Sequence, residues 1–185
     1  MKLYLASKSP RRKEILTNAK YEFIIESKET AEIMSDKLSV YQNVLNVSYE
    51  KARQVFLDHQ DSCVLGCDTI VVYNNKIYGK PKSREDALET LKLLNGNTHS
   101  VISGVAIITK DKEYRFYVES HVTFKNNSLS DLIEYVNTNE PLDKAGSYAI
   151  QGLGNKLIEG YTGSYENIVG LPIEEVKKVL DEVLI

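Results

Sequence analysis

Arg11, Arg12, Lys51 and Lys80 are cations in distinctive local contexts on a chain whose net charge is -3. The sharpest context is Ser7-Lys8-Ser9-Pro10-Arg11-Arg12, directly after the apolar run Leu3-Tyr4-Leu5-Ala6. A short strand, a small-residue turn and a helix opening on Ser9-Pro10 would aim backbone N–H groups and two guanidiniums at one spot. Such a spot holds phosphate. Asp68, in Cys67-Asp68-Thr69, stands between the apolar runs 64–66 and 70–72 and is expected at a strand end. A carboxylate buried there without a partner costs several kcal/mol, so it needs a cation, a metal or water.

Three further segments carry polar chemistry. Gly79-Lys80-Pro81 sets a lysine between a flexible residue and a rigid one. Residues 144–154 bring three glycines and Gln151 into one small-residue run. Gln151 can both donate and accept, which suits the alternating edge of a uracil or thymine. Lys51, in Tyr49-Glu50-Lys51-Ala52-Arg53, would by itself read as a solvated lysine on a helix face. No Gly-x-x-x-x-Gly-Lys-Ser/Thr run is present, so phosphates would be held in another way.

The elements that must position these groups follow from periodicity and punctuation. A strand over 3–6 leads to a helix over 10–18 with Ser9 as N-cap. Residues 21–25 read as a second strand. Val40, Val44, Val47, Ala52, Val55 and Phe56 recur at helical spacing, predicting a long helix over 39–57. Residues 64–66 and 70–73 are strand-like, and Asn74-Asn75 is a hairpin turn before 76–78. Ser83 caps a helix ended by Asn95-Gly96. Two long strands follow over 100–109 and 114–124, then a helix from Ser128 to about 136. The last helix starts at Ile173, with Val176, Val179, Leu180 and Val183 on one stripe. The expectation is a single α/β domain over 1–185 with a mixed sheet.

Hydrophobic content of 42% with 26% charged residues describes an ordinary globular chain, and a negative net charge disfavours nucleic-acid coating. No apolar segment has the ~20 residues of a membrane span. Cys63 and Cys67 lack the neighbours a zinc site requires and read as buried free thiols of a reducing compartment. These features predict a cytoplasmic protein whose partner is a small anionic ligand, with no nucleic acid and no membrane.

Seven motifs in order now carry a resemblance. They are Ser7 to Arg12, Glu50-Lys51-Ala52, Asp68-Thr69, Gly79-Lys80-Pro81, Leu94 to His99, Glu140 to Gly146 and Asn167 to Pro172. Together the chain resembles the Maf family of nucleoside triphosphate pyrophosphatases, once named for inhibition of septum formation. Ile150-Gln151-Gly152 resembles the branch acting on dTTP and UTP, with CTP or modified pyrimidine triphosphates as further candidates. The 7-methyl-GTP branch is expected to carry an acid in place of Gln151. The resemblance implies a long twisted mixed sheet with flanking helices and a cleft between two lobes, similar to inosine triphosphate pyrophosphatases. It implies Asp68 as proton acceptor, with Asp68 and Glu32 beside a divalent cation, Mg²⁺ or Mn²⁺. Arg11, Thr69 and Gln151 match specificity positions; Ser7, Arg12, Lys51 and Lys80 match phosphate-handling positions. A homodimer is also implied. The family's Asp-Glu pair reads Ala31-Glu32 here, and an arginine upstream of Lys51 reads Asn46. The competing reading is a non-catalytic regulator of septum formation that binds nucleotide or a partner protein.

Overall fold

The computed structural model describes residues 1–184. In chain order these form β1 (Leu3–Leu5), α1 (Pro10–Asn18), β2 (Ile24–Ile25), α2 (Val40–Phe56), β3 (Cys63–Tyr73), β4 (Lys76–Tyr78) and α3 (Arg84–Leu94). Then come β5 (Thr98–Ile108), β6 (Glu113–Phe124), α4 (Leu129–Val136), β7 (Ile158–Thr162), α5 (Tyr165–Val169) and α6 (Ile173–Val183). Short 3₁₀ turns cover Glu140–Asp143, Ala145–Ser147 and Leu153–Leu157. The strands make one mixed sheet in the order β2-β1-β3-β5-β6-β7, with β4 paired to β3. This is the mixed α/β sheet flanked by helices that the sequence predicts.

The helix starts obey their caps. Ser9, Ser39, Ser83 and Ser128 each accept a bond from a first-turn N–H, and Ser39 and Ser128 complete full capping boxes. Asn74 and Asn75 have φ of 49° and 58°, the two positive values that a type I′ hairpin turn demands. Two expectations need correction. The strand predicted over 21–25 shrinks to Ile24–Ile25. Residues 64–66 and 70–73 belong to one eleven-residue strand, so Asp68 lies within a strand and not at its end. The continuous ladder is tolerable because Asp68 finds a cation outside the sheet, described below.

Two compact units divide the chain. The first holds Met1–Thr69, Ser103–Val118 and the segment from Gly170 onward. Its strands bury both faces. Leu3, Leu5, Cys63, Leu65, Cys67, Val105 and Ile107 pack with Leu16 of α1 and Val176 and Leu180 of α6. Their alternates, Tyr4, Ala6, Val64, Ala106 and Ile108, pack with Ala52 and Val55 of α2. Successive side chains of a strand point to opposite faces, so helices cover this part of the sheet on both sides. Cys63 and Cys67 are free and buried as expected, and burial pushes the Cys63 thiol up to about 12.

The second unit holds Ile70–Ile102 and Glu119–Val169. Its core is a single cluster in which Val71, Val101, Val122 and Phe124 meet Leu91 and Leu94 of α3 and Leu132 and Tyr135 of α4. Among the described residues no helix is long and apolar enough to cross a membrane.

Candidate active site

The first unit opens with β1 parallel to both β2 and β3. The chain therefore runs outward from β1 in two directions, through α1 on one face and α2 on the other. A sheet with this order leaves a crevice beyond the carboxyl ends of the diverging strands. The β1–β3 ladder ends at Leu5 opposite Leu65. Ser7 and the start of α1 follow on one side, and Asp68 and Thr69 on the other.

Two polar clusters meet at this place. In one, Lys51 Nζ lies 2.8 Å from Asp68 Oδ1 and 2.7 Å from Glu32 Oε1. The Lys51 and Asp68 side chains are only 14% and 10% exposed, whereas Glu32 is exposed. An ion pair this sheltered keeps much of its attraction, and removing either partner would strand the other. Lys51 is thus not the solvated lysine that its helix position suggested in isolation.

In the other cluster, the Arg12 guanidinium braces three elements. Nη1 donates to Ser7 Oγ at 3.1 Å, Nη2 to Thr69 Oγ1 at 3.2 Å, and Nε to the Gly170 carbonyl at 2.8 Å. Thr69 Oγ1 also lies 2.8 Å from Ser103 Oγ, and the Cys67 thiol donates to the same Gly170 carbonyl. A guanidinium has five N–H donors, so two on Arg12 can still face a ligand. Arg11 is half-buried beside it on α1. Ser7 accepts from the Ser9 N–H at 3.2 Å, which curls the turn tightly into the helix.

α2 seats closely on β3 and β5 because a glycine on each strand leaves room for it. A Cβ on Gly66 would lie 2.4 Å from the Ser48 carbonyl, and one on Gly104 would lie 2.5 Å from the Val44 carbonyl. Val44, Ser48 and Ala52 are spaced four apart, so they form one stripe of α2 that sits on the strands. That close seating brings Lys51 to Asp68.

Lys80 and Gln151 belong to the second unit and are exposed there. Lys80 follows β4, and a side chain at Gly79 would meet nothing within 4 Å. Gln151 lies in a turn whose backbone is tied to Tyr135 and Glu140. Ser103, the Gly170 carbonyl, Tyr135 and Glu140 were not among the predicted site residues. Ser103-Gly104 inside an apolar strand was the available signal, since small residues in a strand mark a close approach.

The cation question can be put to the donors themselves. Two carboxylate oxygens converge within 2.8 Å of one ammonium, so their charges already select a cation. Among the described residues no group of three or more His, Cys, Asp or Glu side chains converges as a metal cage. One or two carboxylates completed by phosphate oxygens and water suit Mg²⁺, which seldom takes an all-protein shell. The residues fit a divalent cation that arrives with its phosphates.

Comparison with known proteins agrees with the motifs. A family model described as Maf-like protein matches residues 2–183. A dTTP/UTP pyrophosphatase of Bacillus cereus (strain G9842) is 43% identical over 181 residues, covering 98% of this chain and 95% of the relative. One of Clostridioides difficile (strain 630) is 44% identical over 182 residues, covering 97% and 94%. Among solved structures, the Staphylococcus aureus Ham1 protein aligns with a TM-score of 0.54 at 13% identity, covering 98% of this chain and 99% of that one. A HAM1 protein from Coxiella burnetii gives 0.53 at 15% identity, covering 99% and 100%. At such identity the two share the fold alone.

Proposed function

The chain belongs to the Maf family, and from that premise we propose that it hydrolyses dTTP and UTP to the nucleoside monophosphate and pyrophosphate. The observation that carries the reading is the ion cluster of Glu32, Lys51 and Asp68 beside the brace of Ser7, Arg12 and Thr69. A triphosphate at neutral pH carries close to four negative charges, which repel an incoming hydroxide. Electrostatic positioning therefore dominates such chemistry.

Each residue has a task in this reading. Lys51 holds the Asp68 carboxylate in place through their ion pair, and Asp68 takes the proton of the attacking water. The two remaining N–H groups of Arg12, with Arg11 and Lys51, grip phosphate oxygens. Lys80 handles phosphate in this reading, and Gln151 reads the pyrimidine edge by giving one hydrogen bond and taking another. Asp68 and Glu32 would hold Mg²⁺ or Mn²⁺, which when bound supplies positive charge to the phosphates and acidity to water. Water adds across the α–β phosphoanhydride, and the charge on departing pyrophosphate is met by the same cations. A homodimer in the cytoplasm goes with this reading.

A screen of nucleoside triphosphates with Mg²⁺ and with Mn²⁺ tests it. The expected result is dTMP or UMP plus pyrophosphate, with dTTP and UTP turned over well above dGTP and 7-methyl-GTP. Diphosphate plus orthophosphate as products, or no turnover of any triphosphate, would overturn it.

A further inference from the structure

We infer that Tyr135 and Glu140 are a positioning pair that fixes the turn carrying Gln151 from both sides and thereby sets base selectivity. The inference rests on the proposed role of Gln151. Glu140 Oε2 accepts from the Tyr135 hydroxyl at 2.7 Å and from the Gly154 N–H at 2.9 Å, while Oε1 accepts from the Leu153 N–H at 2.9 Å. The Tyr135 hydroxyl oxygen in turn accepts from the Ala149 N–H at 3.1 Å. One hydrogen-bonded pair thus holds the backbone two residues before Gln151 and two and three residues after it. None of these bonds uses the Gln151 side chain, which is exposed for a ligand.

The surrounding sequence is shaped to this pair. A Cβ on Gly152 would lie 2.0 Å from Glu140 Oε1, and one on Gly154 would lie 2.7 Å from the Tyr135 hydroxyl. Gly152 is therefore required by Glu140, and Gly154 by the Tyr135 hydroxyl together with the Ala149 carbonyl 2.8 Å away. Tyr135 is anchored in the core of the second unit. Burial, the largest influence on the Glu140 carboxyl, pushes its pKa up. Hydrogen bonds from Tyr135, Leu153 and Gly154, with the charge of Lys144, outweigh it and hold Glu140 below the usual carboxylate range. The anion is thus in place at neutral pH. A base-reading amide on an untethered turn would lose affinity to ordering and miss its partner by fractions of an ångström.

The test is steady-state kinetics of the full chain and of Glu140→Gln, Tyr135→Phe, Gln151→Ala and the double variant Glu140→Gln/Gln151→Ala, with dTTP, UTP and dGTP. Glutamine keeps the size but cannot accept two N–H bonds and a hydroxyl as the carboxylate does. The expected result is a KM for dTTP and UTP raised about tenfold in Glu140→Gln, with kcat changed less than about threefold and dTTP-over-dGTP selectivity lowered by the same factor. The double variant should be no worse than Gln151→Ala, because neighbours acting through one another are non-additive. A merely structural role would lower the melting temperature and leave KM and selectivity alone. Tyr135→Phe provides a second arm by amide hydrogen exchange, with Ala149 exchanging faster than in the wild type. Gln151→Ala effective but additive with Glu140→Gln, or Ala149 exchange unchanged, overturns the inference alone. Gln151→Ala with unaltered kinetics overturns it together with the reading of Gln151.

Discussion

The two units make their polar groups stand still by different means. In the first, Asp68 and Thr69 lie within an eleven-residue strand, Lys51 on a seventeen-residue helix, and apolar clusters clamp both faces of the sheet. In the second, Lys80 and Gln151 lie in turns, and Gln151 is steadied by side chains that bond its neighbours' backbone. The difference matches what each task demands. Proton transfer needs a fixed distance between charged groups, which paired regular elements give. Reading one base among several needs a segment whose sequence can change without disturbing the sheet, which a tethered turn gives. On this view, damage to the first unit should appear in kcat, and damage to the second in KM and selectivity.

The largest expected effect breaks that comparison or upholds it at once. Asp68→Asn keeps the size of the side chain and its contact with Lys51 but removes the base. We expect kcat with dTTP to fall at least about a hundredfold, the lower range for losing a general base. Binding of dTTP, measured by calorimetry with the inactive variant, should be largely kept. Near-normal turnover would remove Asp68 from its role and leave the first unit without a claim to the chemistry.

Glycine replacements sharpen the contrast. At Gly66 the obstacle is backbone, the Ser48 carbonyl at 2.4 Å and the Ala52 nitrogen at 2.7 Å, so α2 must lift from β3. Gly66→Ala should cost about 3 kcal/mol in urea unfolding, the upper end of overpacking, and lower kcat because Lys51 moves with the helix. At Gly146, with φ of 67°, the obstacle is the Val71 side chain at 2.7 Å. Val71 is short, β-branched and buried and cannot swing aside, so Gly146→Ala should cost at least as much, about 3 kcal/mol, the clash adding to the about 1–2 kcal/mol of a left-handed backbone. Gly79→Ala meets open space and should fall within about 0.5 kcal/mol of the wild type. A loss at Gly66 or Gly146 as small as that at Gly79 would deny that neighbouring atoms are seated against these two glycines.

Local punctuation made most elements of this fold legible. Ser39, Ser83 and Ser128 announce helices because a hydroxyl that satisfies a first-turn N–H does so within three residues. Asn74-Asn75 announces a hairpin for the same local reason. Asp68 misled because its partner is on another element: an acid between apolar runs looks like a strand end until Lys51 supplies the charge from α2. The Lys51 assignment itself came from resemblance, since spacing alone left it on a solvated face. β7 and α5 follow glycine-rich stretches of no clear period, and neither was anticipated. Glu140 was hidden more deeply, because its partners at Leu153 and Gly154 are backbone N–H groups that no pattern of side chains reveals.

A further expected effect concerns pH and belongs to the second unit. His99 is 2% exposed, its Nε2 lies 2.6 Å from the Tyr148 hydroxyl, and its ring meets Phe124 and Tyr148 edge to face. Burial first, and the nearby His121 second, lower its pKa from 6.5 to about 4. The native state therefore holds His99 neutral, while the unfolded chain binds a proton near pH 6.5. Its contribution to stability is complete above that pH and is lost as pH falls through the window down to about 4. At pH 5.5 the loss should be about 1 kcal/mol, since most unfolded molecules are then protonated and few native ones are. Urea unfolding of the wild type and of His99→Gln at pH 7.5 and 5.5 measures it: the drop between the two pH values should be smaller in the variant by that amount. In the first unit His59 instead stacks on Tyr4 with Nε2 2.8 Å from a Glu26 carboxylate oxygen. Identical drops in the wild type and His99→Gln would show that the buried ring of the second unit is not what makes the fold acid-sensitive.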